Sequence, residues 1–170
     1  MTIHAEMPQW YVIQVMTGTE TECCQRLNAL GIDAIAPTRI LPELSGGVWR
    51  ERERVMIPGY VFACVTLSLW NYYRMTQIPY TLRILPGNGE FQPVPEKQMR
   101  WILDIDQSGR PWGISTASEI DGKIVVRSGP LAGRERIIRK WDKRRRRCTI
   151  RIDVLDERKH IDVGLIEAHE

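Results

Sequence analysis

GYVFACVTL, residues Gly59–Leu67, is the stretch on which the fold of the N-terminal part turns. It is dense in aromatic and β-branched residues and reads as a central strand. WYVIQVMTG (Trp10–Gly18) has the same character and reads as a second buried strand, closed by a glycine. Between them, TETECCQRLNALG has the look of a helix. Thr19 with Glu22 forms a capping-box pattern, Cys23, Leu27 and Leu30 recur at helical spacing, and Gly31 is the stop. IDAIAPTRIL (Ile32–Leu41) reads as one further strand. PELSGGVWRERERVMIP reads as a hairpin with Gly46-Gly47 at its tip, on whose arm Arg50, Arg52 and Arg54 alternate with Glu51 and Glu53 as a solvated face. Beyond Gly59–Leu67, LWNYYRMTQIP reads as a short helix ended by Pro79, and TLRILPGNG (Thr81–Gly89) as a last strand and a tight turn. VPEKQMRWILDID reads as a helix with Pro95 at its first position. The resulting order, β-α-β-β-β-α-β-α with short connections, predicts an α+β unit: a mostly antiparallel sheet with helices packed on it.

QSGRPWGISTASEIDG (residues 107–122) breaks this periodicity. It is rich in Ser and Gly and reads as a linker, with Trp112 available to dock on a neighbouring surface. The remaining residues form short strands between turns. IVVR leads into SGPLAG, where Gly129 and Gly133 supply unusual backbone angles. RERIIRKW and CTIRIDV flank a loop of five consecutive cations, Lys143 to Arg147. In the second strand Cys148, Ile150, Ile152 and Val154 fall on one face and Thr149, Arg151 and Asp153 on the other. KHIDVGLI closes the set. So many strands in so few residues predict a small closed β-barrel.

The charge is unevenly placed. Residues 1–122 carry 10 Lys and Arg against 13 Asp and Glu, whereas residues 123–170 carry 14 against 8. That asymmetry points to an anionic partner for the C-terminal part. No apolar run is long enough to span a bilayer, and MTIHAEMPQWYV lacks the basic start and apolar core of a signal peptide, so the expected location is the cytoplasm. Cys23, Cys24, Cys64 and Cys148 form no CxxC pair and are expected to be reduced thiols. His4, His160 and His169 have no metal-ligand spacing, and no GxGxxG or P-loop pattern is present, so no cofactor and no metal are expected. Nothing resembles a nucleophile elbow or a catalytic carboxylate pair. Asp104 and Asp106 read as helix-end surface, and the chain is not expected to be an enzyme.

WYVIQVMTGTE and IPGYVFACV (Ile57–Val65) resemble the N-terminal (NGN) domain of NusG-type transcription elongation factors. VRSGPLAGRERIIRKWDKRRRRCTIRIDVLDER resembles the KOW motif that follows it in that family. The resemblance covers nearly the whole chain in the family's order. It implies an NGN-like domain over 8–106, a linker over 107–122 and a KOW barrel, SH3-like, over 123–170. It also implies an α/β sandwich on a four-stranded antiparallel sheet, which grips the clamp helices of bacterial RNA polymerase and bridges the DNA channel. Carried onto this sequence, the clamp patch is Gln14, Met16, Ile57, Tyr60 and Phe62, with Met56 a further candidate. Trp70, Asn71 and Tyr72 match the region that meets the other channel wall. Tyr60 and Phe62, two residues apart, share one strand face, as an aromatic interface anchor would; in their own right they could equally face the protein's helices.

Two departures bear on specificity. General members carry a phenylalanine-containing FGR loop in the KOW domain where this chain has Asp156-Glu157-Arg158, and an aromatic after GP where it has Leu131. With its arginine-rich loop and VGLI near the end, the chain is most similar to specialised paralogs, among them the LoaP-type antiterminators, whose KOW domain binds an RNA hairpin. Over residues 123–160 there are 14 cations against 5 anions. The candidate RNA-binding set is Arg127, Arg139, Lys140, Trp141, Lys143, Arg144, Arg145, Arg146, Arg147 and Arg151, with the DNA of the transcription bubble as a further polyanion. Trp141 is as well suited to a barrel core as to base stacking. The expected state is a monomer, with no membrane partner. The alternatives are a ribosome-associated KOW protein on structured rRNA, and a general NusG coupling polymerase to the ribosome or a termination factor.

Overall fold

The computed structural model describes residues 7–86 and 91–169. His4 and the tight turn expected at 87–89 lie outside them. The chain divides into two compact units, Met1–Ala36 with Ile57–Gly109, and Pro37–Met56 with Arg110–Glu170.

The first unit is built on β1 (Gln9–Val15), β2 (Asp33–Ile35), β5 (Tyr60–Val65) and β6 (Thr81–Ile84), in the order β2-β5-β1-β6 with every pairing antiparallel. Three helices complete it: α1 (Glu20–Ala29), α2 (Leu69–Thr76) and α3 (Glu96–Asp106). Tyr11, Ile13 and Val15 of β1 and Val61, Ala63 and Val65 of β5 alternate onto one face, where they bury against Cys23 and Leu27 of α1 and Met75 of α2. Leu30, expected on that helix face, is exposed, because it stands at the C-cap where the helix has already turned away. The capping box does not form either. Thr19 Oγ1 donates to the Met16 carbonyl at 2.6 Å, and Glu22 pairs with Arg26 along the helix at 3.0 Å.

Glu20 does the anchoring instead. This carboxylate is buried and accepts from Gly18 N–H at 3.0 and 3.1 Å and from Gly59 N–H at 2.8 Å. One charged side chain therefore ties the start of α1 to the Pro58-Gly59 turn that launches β5. Gly59 is itself required there: its φ is +82° and its α-carbon faces the Val15 carbonyl and Thr17. Glu20→Ala strands buried donors. We expect it to cost about 2–3 kcal/mol, read as a lower urea midpoint for loss of α1 and β5 protection in hydrogen exchange.

The second unit holds a surprise in its membership. IDAIAPTRIL is not one strand. Ala36-Pro37 breaks it, β2 stays in the first sheet, and β3 (Thr38–Ser45) joins β4 (Val48–Val55) in a hairpin that belongs to the second unit. Gly46 and Gly47 form its tip with φ of +58° and +76°, as a two-residue hairpin turn demands. The expected linker also differs. Ser115–Ile120 is a strand, β7, paired antiparallel with β8 (Lys123–Ser128) and parallel with β11 (Glu157–Glu167). Its apolar content is too low for strand periodicity to show, and the pairing comes from its neighbours. With β9 (Ile138–Asp142) and β10 (Arg147–Val154) these make a barrel-like five-stranded sheet in the order β8-β7-β11-β10-β9. The expected inward face of β10, Cys148, Ile150, Ile152 and Val154, is fully buried. Burial raises the Cys148 thiol to about 12, and likewise Cys24 in the first unit. Both should resist alkylation at pH 8 in the folded protein and react on unfolding, as counted by mass spectrometry.

Candidate functional site

In the first unit, Tyr60 and Phe62 point away from the helix-facing cluster, because they alternate with Val61 and Ala63. They are nevertheless covered: Ile57, Tyr60 and Phe62 are 3%, 6% and 0% exposed, and Met56 of the second unit is likewise buried. Any partner reaching these side chains needs their cover to move first. Met16 is open to solvent. Gln14 is half-buried, and its Oε1 accepts from Arg83 Nε at 2.8 Å.

The α2 candidates separate by role. Ser68 caps the helix by accepting from Asn71 N–H at 3.1 Å. The Asn71 side chain is spent locally, donating to the Thr66 carbonyl at 2.8 Å and accepting from Arg74 at 3.1 Å. Tyr72 packs edge-on against Phe91, centroids 5.3 Å apart, beside the core. Trp70 is different: it is 71% exposed, with Leu69 and Tyr73 also open beside it on the same helix. Of the three residues singled out from sequence, Trp70 is the one that presents an apolar surface.

In the second unit, the basic stretch is a tight turn. Residues 143–146 make the turn, and Arg147 opens β10 opposite Asp142. Asp142 Oδ1 accepts from Arg145 N–H at 3.1 Å, and Arg146 takes a left-handed φ of +56°. The cations do not share one direction. Lys143 bridges Glu119 at 2.8 Å and Glu167 at 3.4 Å, and its ammonium lies 4.9 Å from the centre of the Trp141 ring. The hydrogen bond to Glu119 raises its pKa. Trp141 is half-buried, its indole N–H donating to the Leu165 carbonyl at 3.1 Å. The ring is therefore a wall of the sheet with one side dressed by Lys143, and base stacking on it would require displacing that lysine.

On the other side, Arg145 and Arg147 lie 3.9 and 4.0 Å from Asp162, a carboxylate already bonded to Thr149. Arg147 is mostly buried and donates to the Pro42 carbonyl of the hairpin at 2.8 Å. Arg144 and Arg146 are exposed and ion-paired with no carboxylate among the described residues. Arg139 and Lys140 are exposed on the edge strand β9, and Arg151 is half-buried on β10. Arg127 is exposed on β8, the opposite end of the strand order, where it reaches Ser118 at 3.3 Å. The ten-residue set predicted from sequence is thus distributed over several faces, with Arg144–Arg146 its exposed focus.

Comparison with known proteins places this architecture. The family model described as "Transcription termination factor nusG" matches residues 8–103. The chain belongs to the NusG family. Curated NusG relatives, named transcription termination/antitermination proteins, align along most of its length. The one from Yersinia pestis is 23% identical over 161 residues, covering 88% of this chain and 89% of the relative. The one from Escherichia coli K12 is 22% identical over the same span with the same coverage. A solved structure concerned with domain interaction in Thermotoga maritima NusG superposes with a TM-score of 0.55 at 20% identity, covering 95% of this chain and 96% of the other. No helix among the described residues is long and apolar enough to cross a membrane, and no group of His, Cys, Asp and Glu among them is arranged to hold a metal.

Sequence reasoning missed two residues that this NusG-family chain uses in its second unit. Trp49, on the hairpin arm, lies under the Arg146 guanidinium, 4.3 Å from ring centre to Cζ. Arg39, on β3, donates to the Val55 and Met56 carbonyls at 2.8 and 2.7 Å, and burial lowers its pKa. The alternation of Arg50, Arg52 and Arg54 drew attention to the charged face of β4 and away from the tryptophan that precedes it.

Proposed function

We propose that the chain is a transcription elongation and antitermination factor that docks on bacterial RNA polymerase through its first unit and contacts RNA through its second. The observation that carries this is a turn bearing exposed arginines in a chain of the NusG family. Such charge at the tip of a small sheet repels itself unless a polyanion is at hand, and a polymerase-bound factor sits beside the emerging transcript. Tethering raises the local concentration of the cationic turn at the RNA, so modest affinity suffices. An RNA hairpin, as in the LoaP-type paralogs the sequence resembles, suits such a turn. Planar guanidinium groups reach phosphates and guanine edges where a loop or bulge widens the narrow A-form major groove.

On the polymerase side, Gln14, Met16, Ile57, Tyr60 and Phe62 form the face proposed for the clamp helices, and Trp70 the contact on the far wall of the channel. Asp156-Glu157-Arg158, an exposed polar start to β11, offers no aromatic anchor for a ribosomal protein or termination factor, which favours an RNA-directed second unit over general coupling.

The test is co-purification of the protein with its polymerase, followed by sequencing of crosslinked RNA. Polymerase subunits and one recurrent transcript segment are expected. Ribosomal subunits in place of polymerase would transfer the chain to the rRNA-binding class. For the far-wall contact, Trp70→Asp should weaken polymerase retention at least tenfold with an unchanged melting curve, the scale of a lost aromatic anchor of about 2 kcal/mol.

A further inference from the structure

Within the second unit the basic turn is not an isolated tip. Arg147 ties it to Pro42 of β3, and Arg146 lies on Trp49 of β4. The hairpin is in turn fastened to the sheet by the reciprocal bonds Ile40 N–H to Trp112 O and Trp112 N–H to Thr38 O, both 2.8 Å. These contacts enclose a cleft of about 440 Å³, in the range of small-ligand sites, about 300–1,000 Å³. Its apolar side is Pro42, Leu44 and Trp49, and its cationic side is Arg144, Arg145 and Arg147. Leu44 and the neighbouring Val48 are exposed at the hairpin tip, unusual for apolar residues facing a ring of arginines.

We propose that this cleft holds one unpaired nucleotide of an RNA, its base stacked on Trp49 and its flanking phosphates on Arg144 and Arg145. This rests on the RNA-directed reading above and assigns it a site. Aromatic surface beside cationic surface is what a single-stranded nucleotide requires: a π-face for the base and guanidinium groups for the backbone. Arg146, seated on Trp49, holds the platform in place as a cation–π partner. Asp142 is the sole acidic side chain among the lining residues, and one of its oxygens already takes the Arg145 N–H. Its other oxygen is an acceptor for a donor that RNA carries and DNA lacks, the 2′-hydroxyl. The hairpin thus supplies the apolar half of a site whose charged half lies in the turn, so neither element is complete alone.

The experiment uses the full chain and three probes: a short single-stranded RNA of mixed sequence, a blunt RNA duplex, and a DNA oligonucleotide matching the single strand. Trp49→Ala should weaken the single-stranded RNA by about 5- to 150-fold, the loss that follows from one base stack of about 1–3 kcal/mol. The same change should leave duplex affinity and the salt dependence of binding as they were, and Trp49→Phe should restore most of the loss. Equal binding of the single strand by wild type and Trp49→Ala, with Arg144 and Arg145 still needed, overturns the cleft and keeps the RNA reading. Absence of binding to either RNA by the wild type overturns both. A Trp49→Ala loss spread equally over single strand and duplex, unrepaired by Trp49→Phe, overturns the stacking role. DNA binding as tight as RNA overturns the assignment to RNA.

Discussion

Replacing Arg144 and Arg145 with serine and Arg146 with asparagine is expected to flatten the salt dependence of RNA binding more than any other surface change. Each phosphate neutralised on a single strand contributes about 0.7 to the slope of log K against log salt, so three lost contacts reduce it by about 2. Over a rise of about fourfold in salt, the wild type should then lose roughly 20-fold more affinity than the variant. Asparagine is chosen at 146 because the backbone there is left-handed, a conformation that asparagine accepts and serine does not favour. Arg147 is left in place because its bond to the Pro42 carbonyl is structural. So is Lys143, whose charge is already engaged by Glu119 and Glu167. Filter binding or fluorescence anisotropy across a salt series measures the slope. A variant with wild-type slope and affinity would show that the exposed arginines serve solubility alone, and the RNA half of the proposed function would fall.

The choice of residues in that variant shows what the sequence could and could not reveal. The run of five cations was visible as a run, and its position between two alternating strands fixed it as a turn. What the run could not show is that its members divide. Lys143 faces carboxylates contributed by β7 and β11, while Arg146 and Arg147 face a hairpin about a hundred positions earlier in the chain. Long-range partners leave no local periodicity. The same limit hid the membership of the hairpin: Thr38–Val55 reads as a continuation of the first sheet until Pro37 is seen to break it and Trp112 to pair with it. It also hid β7, a strand of Ser, Thr, Ala and Glu whose identity comes from the strands on either side. By contrast β1, β5 and the inward face of β10 were legible, because burial there writes itself directly into residue type. The aromatic face of β5 lies between these cases. Alternation placed Tyr60 and Phe62 off the helix side correctly, but residue type alone could not say that they would be buried.

Gly129→Ala should be the most damaging single substitution in the second unit. Gly129 has φ of +94°, and a β-carbon added there would lie 2.6 Å from both Cα and Oγ of Ser115 and 2.9 Å from the Ile114 carbonyl. Two of those three obstacles are backbone atoms at the start of β7, and no rotamer change clears them. Ser115 is itself fully buried, and its Oγ accepts from Leu131 N–H at 3.0 Å, so moving it breaks the bond that seats the SGPLAG turn. A left-handed non-glycine residue costs about 1–3 kcal/mol and overpacking a close-packed site about 1–3 more, giving an expected loss of about 3–5 kcal/mol. Gly133→Ala is the control. Its φ is +76° but nothing lies within 4 Å of the added carbon, so it should show the backbone cost alone. Because the chain has two units, a single melting temperature would blend them, and the readout is site-resolved hydrogen exchange. Protection should collapse in β7, β8 and β11 of Gly129→Ala while β1, β5 and α1 keep theirs. Equal losses in the two glycine variants would mean that β7 yields to the extra carbon, and the close packing of the turn on Ser115 would not be what holds this strand in the sheet.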